Sequence, residues 1–310
     1  MLLTKYFEQW IEMYKEGKIA EVTLLKYQNS LRHLQIIAPR VKLERMTRWD
    51  YQEIINEFAK THEQATVQDF HHQVKGALLD AFHDGLIDRD PTYRAVIKGL
   101  PKRKREAKKY LQPEEVTKLV SVLDLNSGIN KDWFILIMIK TGLRYAEGLG
   151  LTVKDFDFNN QILNVDKTLS YKTSDLKHAP TKNPSSVRQV LIDWQIVGQF
   201  RPLLVDMEPD ELVFVEKDKN CKYKRPHNST HNAHLKNLCL KAGVPIVTMH
   251  SLRHTHASLL LSQGVSIQTI SKRLGHSEVT TTQEVYVHIL DDLKAQDNSK
   301  MTAVLSQLGV

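Results

Sequence analysis

Along the first 100 residues the apolar positions recur at helical spacing. Leu3, Tyr6, Phe7, Trp10, Ile11 and Tyr14 lie three or four residues apart and form a single stripe. Thr47, with Asp50 three residues on, suits the start of a helix over WDYQEIINEFAK. Thr66 is expected to open TVQDFHHQVKGALLDAFHDGLI, where Val67, Phe70, Val74, Ala77, Leu78, Ala81 and Phe82 line one face. Gly85 then suits a left-handed stop. No strand-like alternation interrupts this region, so residues 1–100 are expected to form a small domain of about four helices.

A second pattern begins at Pro113-Glu114-Glu115: a proline at the start of a helix, then two acids at the positive end of its dipole. Further on, Val165, Val187, Val190 and Ile192 sit in short alternating runs broken by Asn-Asn and Pro turns, which predicts a small antiparallel sheet. Helical spacing resumes from about residue 228. The expected fold is mainly α, with the sheet confined to a C-terminal domain at 113–290, followed by a tail at 291–310.

Composition narrows the class. The chain has 310 residues, 41% hydrophobic and 25% charged, as in an ordinary globular protein. It contains no apolar run of about 18 residues and no basic-then-apolar leader, so neither a membrane span nor secretion is expected. Two cysteines, Cys221 and Cys239, are too few for a disulfide framework and fit a reducing cytoplasm. Of the net charge of +7, the segment PKRKREAKKYLQ at 101–112 carries +5. Its residues Lys102, Arg103, Lys104, Arg105, Lys108 and Lys109 suit either a solvated linker or a polyanion such as nucleic acid.

Four clusters could carry chemistry. In KTGLRYAEGLGL, Arg144 follows an apolar helix through a Thr-Gly break, and Glu147 would share its face; alone, this reads most simply as a surface ion pair. In APTKNPSSVRQV, Lys182 lies at a turn, where most lysines are merely solvated. In MHSLRHTHASLLLSQG, His250 and Arg253 project together, as two donors for an anionic oxygen would. His250 with His254, or His227, His231 and His234 near Cys239, could alternatively suggest a metal, but no set offers three or four convergent ligands, and none is expected. In LGHSEVTTTQEVYVHI, Gly275 makes a turn, His276 follows, and Tyr286 sits ten residues later among valines. A tyrosine is a poor nucleophile unless its proton is taken or its phenolate stabilised.

The order of these residues resembles the tyrosine recombinase (phage integrase) family. The matching motifs are TGLRYAE, TKNPSSVR, HSLRHTHAS, LGHS and TTTQEVYVH, across about residues 110–290. The segment with YFEQWIEMY and TLLKY looks like that family's core-binding domain, and the chain looks most like integrases of prophages and integrative conjugative elements of Gram-positive type. Such integrases often carry a further arm-binding domain; this chain starts at the core-binding helix, so that domain is expected to be absent or removed. One small departure is Asn183 after Lys182, where Ser or Thr is commoner.

The resemblance implies a two-domain DNA clamp and a metal- and ATP-independent, cofactor-free DNA recombinase. Arg144, Lys182, His250, Arg253 and His276 would serve the nucleophile Tyr286, with Glu147 orienting Arg144. The basic linker, together with Lys222, Lys224 and Arg225, would meet phosphates. The implied partners are double-stranded attachment sites, a homotetramer on DNA that swaps strands pairwise through a Holliday junction, an excision factor and a DNA-bending host protein, in the bacterial cytoplasm near the nucleoid. The rival implications are a type IB topoisomerase and a catalytically idle DNA-binding regulator.

Overall fold

The computed structural model describes residues 1–102, 110–172, 176–181, 183–220, 222–278 and 280. The chain divides into two compact units, Met1–Lys104 and Arg105–Val310. Among the described residues no helix is long and apolar enough to cross a membrane.

The first unit is built from α1 (Leu3–Tyr14), α2 (Glu21–Ile37), α3 (Arg48–Ala59) and α4 (Gln64–His83). The apolar stripe of α1 is buried through Leu3, Tyr6, Phe7, Trp10 and Ile11. Thr47 caps α3 reciprocally with Asp50, satisfying two otherwise orphaned donors. The start of α4 falls at Gln64 rather than Thr66, because backbone bonds between Gln64 and Leu100 and between Leu100 and His62 organise that entry. Phe82 was expected on the buried face but is 36% exposed, since the last turn of α4 runs past the core that Leu78 and Ala81 reach. Gly85 adopts the left-handed conformation.

In the second unit, α5 (Pro113–Ser121) begins on Pro113 with Glu115 bonding back to Gln112. The central element is α6 (Lys131–Thr141), apolar on all sides and almost wholly buried, as befits a helix through the middle of a core. Beyond α7 (Tyr145–Leu149) come β1 (Phe156–Asp157), β2 (Ile162–Val165), β3 (Lys167–Leu169), β4 (His178–Pro180) and β5 (Arg188–Leu191). β1, β2 and β5 form an antiparallel sheet in that order, with Leu163 opposite Val190; β3 and β4 pair separately. Val187 lies outside the strand, 56% exposed, because a one-turn helix at Pro184–Ser186 delays β5 to Arg188. Among the described residues four helices follow: α8 (Trp194–Leu203), α9 (Asn228–Ala242), α10 (Met249–Ser262) and α11 (Ile267–Leu274). Helix α8 precedes the point where helical spacing was expected to resume. It is short, contains Gly198 and Pro202, and buries only Ile196 and Phe200, so its periodicity is faint.

Candidate active site

Two helix ends create the site. Helix α6 stops at Gly142, whose φ is +67°. A Cβ there would stand 2.6 Å from Cδ2 of His256, so both the backbone conformation and the space require glycine. Two residues later Arg144 caps α7: its backbone N–H donates to Glu147 Oε2 at 2.9 Å, and its Nη1 donates to Oε1 at 2.7 Å. Helix α11 likewise stops at Gly275, φ +69°, and its carbonyl accepts from Arg144 Nη2 at 2.9 Å.

The Arg144–Glu147 ion pair forms, but Glu147 is 1% exposed, so it is not the solvated surface pair of the simplest sequence reading. A second guanidinium reaches the same carboxylate: Arg188 Nη2 donates to Oε2 at 2.9 Å. Burial opposes ionisation of Glu147, but the hydrogen bond and charge of Arg188, then those of Arg144, outweigh it and hold the carboxyl below its ordinary range.

Helix α10 presents the next pair. Thr248 caps it, bonding the N–H of Ser251, so that His250 and Arg253 both leave its first turns. Arg253 is 3% exposed and donates to two helix-terminal carbonyls: Nη1 to Gly142 O at 2.8 Å and Nη2 to Leu274 O at 2.6 Å. Since Arg144 holds Gly275 O, both arginines and His276 gather around one turn. Burial lowers the pKa of His276 to about 4, with Arg253 and Arg144 adding to it. The pKa of His250 is also lowered, by burial and by the same two arginines. Both rings are therefore neutral at pH 7.

Of the six residues expected to be catalytic, the structure brings together Arg144, His250, Arg253 and His276. Lys182 and Tyr286 lie outside the described residues, as do Arg103, Lys104, Arg105, Lys108, Lys109 and the tail at 291–310. Lys102 and Lys222 are exposed. Lys224 approaches Glu216 at 3.9 Å, and Arg225 donates to the carbonyls of Tyr171 and Lys172, so part of this loop's positive charge is engaged within the fold. Two of the histidines considered for a metal are engaged elsewhere: His231 bonds the Tyr145 hydroxyl at 2.9 Å and His234 meets Asp132. Among the described residues no group of His, Cys, Asp and Glu is arranged to hold a metal ion.

Sequence reasoning missed Arg188, Ser186, Arg273 and His256. Arg144 Nη1 also reaches Ser186 Oγ at 3.2 Å. Arg273 donates from Nε to His256 Nε2 at 2.9 Å. A guanidinium only donates, so the other nitrogen, Nδ1, carries the ring's proton and donates to Ile139 O at 2.9 Å. The available signal for Arg188 was its place inside TKNPSSVRQV, a cation in a strand.

The cluster of Arg144, Arg188 and Arg253 holds three guanidinium charges against the single carboxylate of Glu147, a net of two positive charges. Forked donors with surplus positive charge suit an oxyanion that gains charge in a transition state.

The model of the family described as "Phage integrase family" matches residues 109–292. The ICEBs1 integrase of Bacillus subtilis (strain 168) is 26% identical over 236 residues, covering 73% of this chain and 62% of that protein. The transposase from transposon Tn916 of Enterococcus faecalis is 26% identical over 240 residues, covering 73% and 59%. The match thus spans about three-fifths of the length of these curated relatives. In fold, the chain is similar to the Tn1549 transposon integrase in complex with transposon right end DNA, with TM-score 0.73 and 20% identity over 96% of this chain and 99% of that one. It is also similar to a lambda integrase tetramer bound to a Holliday junction, with TM-score 0.66 and 14% identity over 92% and 77%.

Proposed function

The chain belongs to the phage integrase family, and on that premise we propose that it is a site-specific DNA recombinase of a mobile element, working through a 3′-phosphotyrosyl intermediate. The observation that carries the reading is the convergence of Arg144, Arg253 and His276 on the Gly275 turn, with positive charge in excess and His250 within the field of both arginines.

In this reading the Tyr286 oxygen bonds to the scissile phosphorus and the bond to the 5′-oxygen breaks. The phenol's proton passes to His250, whose lowered pKa keeps it an acceptor at pH 7. Lys182 returns a proton to the departing 5′-oxygen. Charge building on the non-bridging oxygens is met by Arg144 and Arg253 and by the N–H of neutral His276. The covalent link conserves the energy of the phosphodiester, so the step draws on neither metal nor ATP, and a 5′-hydroxyl from a second duplex can reverse it.

Residues 1–100 would grip the core DNA, residues 101–112 would follow its backbone, and residues 113–290 would cut and rejoin it. The solved neighbours on transposon-end DNA and on a Holliday junction support double-stranded attachment sites as substrate and a tetramer as the working form; in that tetramer the 291–310 tail would dock on an adjacent subunit. An excision factor and a bending protein would set direction, close to the nucleoid.

The test is a trap. The chain is incubated with a pool of nicked duplexes, denatured with detergent, and the DNA ends left on protein are sequenced. Attachment at a defined site, lost in Tyr286→Phe, is expected, and attachment by the Phe variant would refute the nucleophile. The recovered site, placed on two duplexes, should yield recombinants; relaxation of supercoils without recombinants would favour a topoisomerase. Binding without any attachment would favour an idle regulator.

A further inference from the structure

Arg188 belongs to no part of the chemistry above, yet it is only 6% exposed and each of its donor groups is spoken for. Its Nη2 meets Glu147 at 2.9 Å, its Nη1 donates to Ser186 O at 2.9 Å, and its Nε donates to Arg273 O at 2.6 Å. Those acceptors lie on three segments: the α7 turn that orients Arg144, the turn that follows Lys182 in sequence, and the end of α11 that leads to His276. Its side chain also lies directly under the Gly275 turn, where a Cβ would meet Cδ and Nη1 of Arg188 at 3.1 Å.

The arithmetic of charge gives this bracing a chemical consequence. Glu147 alone beside Arg144 would make a neutral pair, and Arg144 would offer a phosphate its donors but little net charge. With two guanidiniums on one carboxylate, the group of three keeps one positive charge. Resting on the proposed recombinase reading, the geometry points to Arg188 as a positioning residue for strand cleavage: it shares the Glu147 carboxylate, so that Arg144 keeps its charge and its aim toward the scissile phosphate. Arg188 itself touches no substrate; it acts through Glu147, Ser186 and the Gly275 turn. A residue working this way affects a reaction only so far as the reaction needs positive charge at the phosphate.

That dependence separates positioning from mere support. The probe is the duplex site recovered from the trapped complexes, made once with a normal scissile phosphodiester and once with a methylphosphonate there, which replaces a charged oxygen by a methyl group. Wild type must first form the covalent complex; if it does not, the recombinase reading fails and Arg188 is not at issue. Given that activity, Arg188→Met should slow cleavage of the diester about 100-fold, in the range for loss of a preorganised electrostatic group. On the methylphosphonate the same variant should lose less than about fivefold, because the charge it supports has no partner there. Arg144→Ala should show the same contrast. A wild-type rate on the diester, or equal losses on the two substrates, overturns the proposal. Should Arg188→Met not fold, Arg188→Lys decides. One ammonium cannot serve three acceptors, so a smaller diester-specific loss is expected, and wild-type behaviour on both substrates refutes the forked role.

Discussion

In the Met1–Lys104 unit the buried polar side chains are Ser30, His71 and Thr92, whereas the Arg105–Val310 unit also buries Asp132, Glu147, Asp155 and Arg253. Among the described residues the first unit's buried polar groups carry no ion pair: Ser30 and His71 meet neutral partners, and Thr92 meets the Asp90 carboxylate two residues away. Ser30 bonds Gln73 at 2.7 Å, Thr92 bonds Asp90 at 2.7 Å, and His71 shares a 2.7 Å hydrogen bond with the Tyr51 hydroxyl. Around them stack Phe58 and Phe70, with ring centroids 4.1 Å apart. The second unit buries formal charge, and around Gly275 it does so in unequal numbers. Ion pairs taken out of water seldom stabilise more than well-packed apolar residues do. The imbalance around Glu147 is of the sign that an anionic ligand would offset, which agrees with the proposed function.

The comparison can be pressed hardest at Arg253. Arg253→Met should cut cleavage of the trapped site by about 10³-fold, while affinity for the same duplex changes by less than about tenfold. A cleavage loss no larger than the loss of folded protein, measured by denaturant unfolding, would reduce this residue to ballast. Next in size is Glu147→Gln. Removing the shared carboxylate leaves Arg144 and Arg188 facing each other uncompensated, which should cost the second unit about 3 kcal/mol. The matched change in the first unit, Ser30→Ala, should cost about 1 kcal/mol. Similar costs for the two would erase the contrast.

A third change works through pH. Burial pushes the pKa of His71 down to about 4, with Lys75 and His72 adding to it and Asp90 opposing. Unfolded, the ring returns to its ordinary value near 6.5. The unfolded chain therefore binds the extra proton as pH falls from about 6.5 to about 4, and stability drops by about 3 kcal/mol over that window, with no loss above it. His71→Gln should flatten this dependence, read by hydrogen exchange across α3 and α4. The smallest effect is expected from Gly275→Ala. The left-handed φ costs about 1 kcal/mol, and Ser185 O at 3.0 Å must give way. A thermal melt should register the change, and the displaced turn should lower cleavage more than stability.

How far the sequence reveals this molecule depends on whether the information is periodic or convergent. Helices α1, α3 and α4 of the first unit and the α5, α9 and α10 segments are legible from apolar spacing or capping residues along the chain, whereas α2, which buries only Ser30 and Leu34 and has no side-chain cap, is legible only in the expected count of about four helices. Helix α8 is not, since two buried side chains make no stripe. Arg144, His250, Arg253 and His276 are legible through motif order, and the Arg144–Glu147 bond through its three-residue spacing. Arg188 and Arg273 are not, because their partners lie 41 and 17 residues away, and no local pattern encodes which carbonyl or carboxylate a strand arginine will meet.

Arg253 ties the last carbonyls of α6 and α11, and Arg144 holds the glycine that ends α11. The same guanidiniums that would receive a phosphate therefore close two helices. Replacing either arginine would leave helix-terminal carbonyls without these donors. Substituting either arginine therefore perturbs architecture and chemistry together, whereas His250, which accepts or donates at neither of these helix ends in the bonds described, lets the chemistry be changed with both closures left in place.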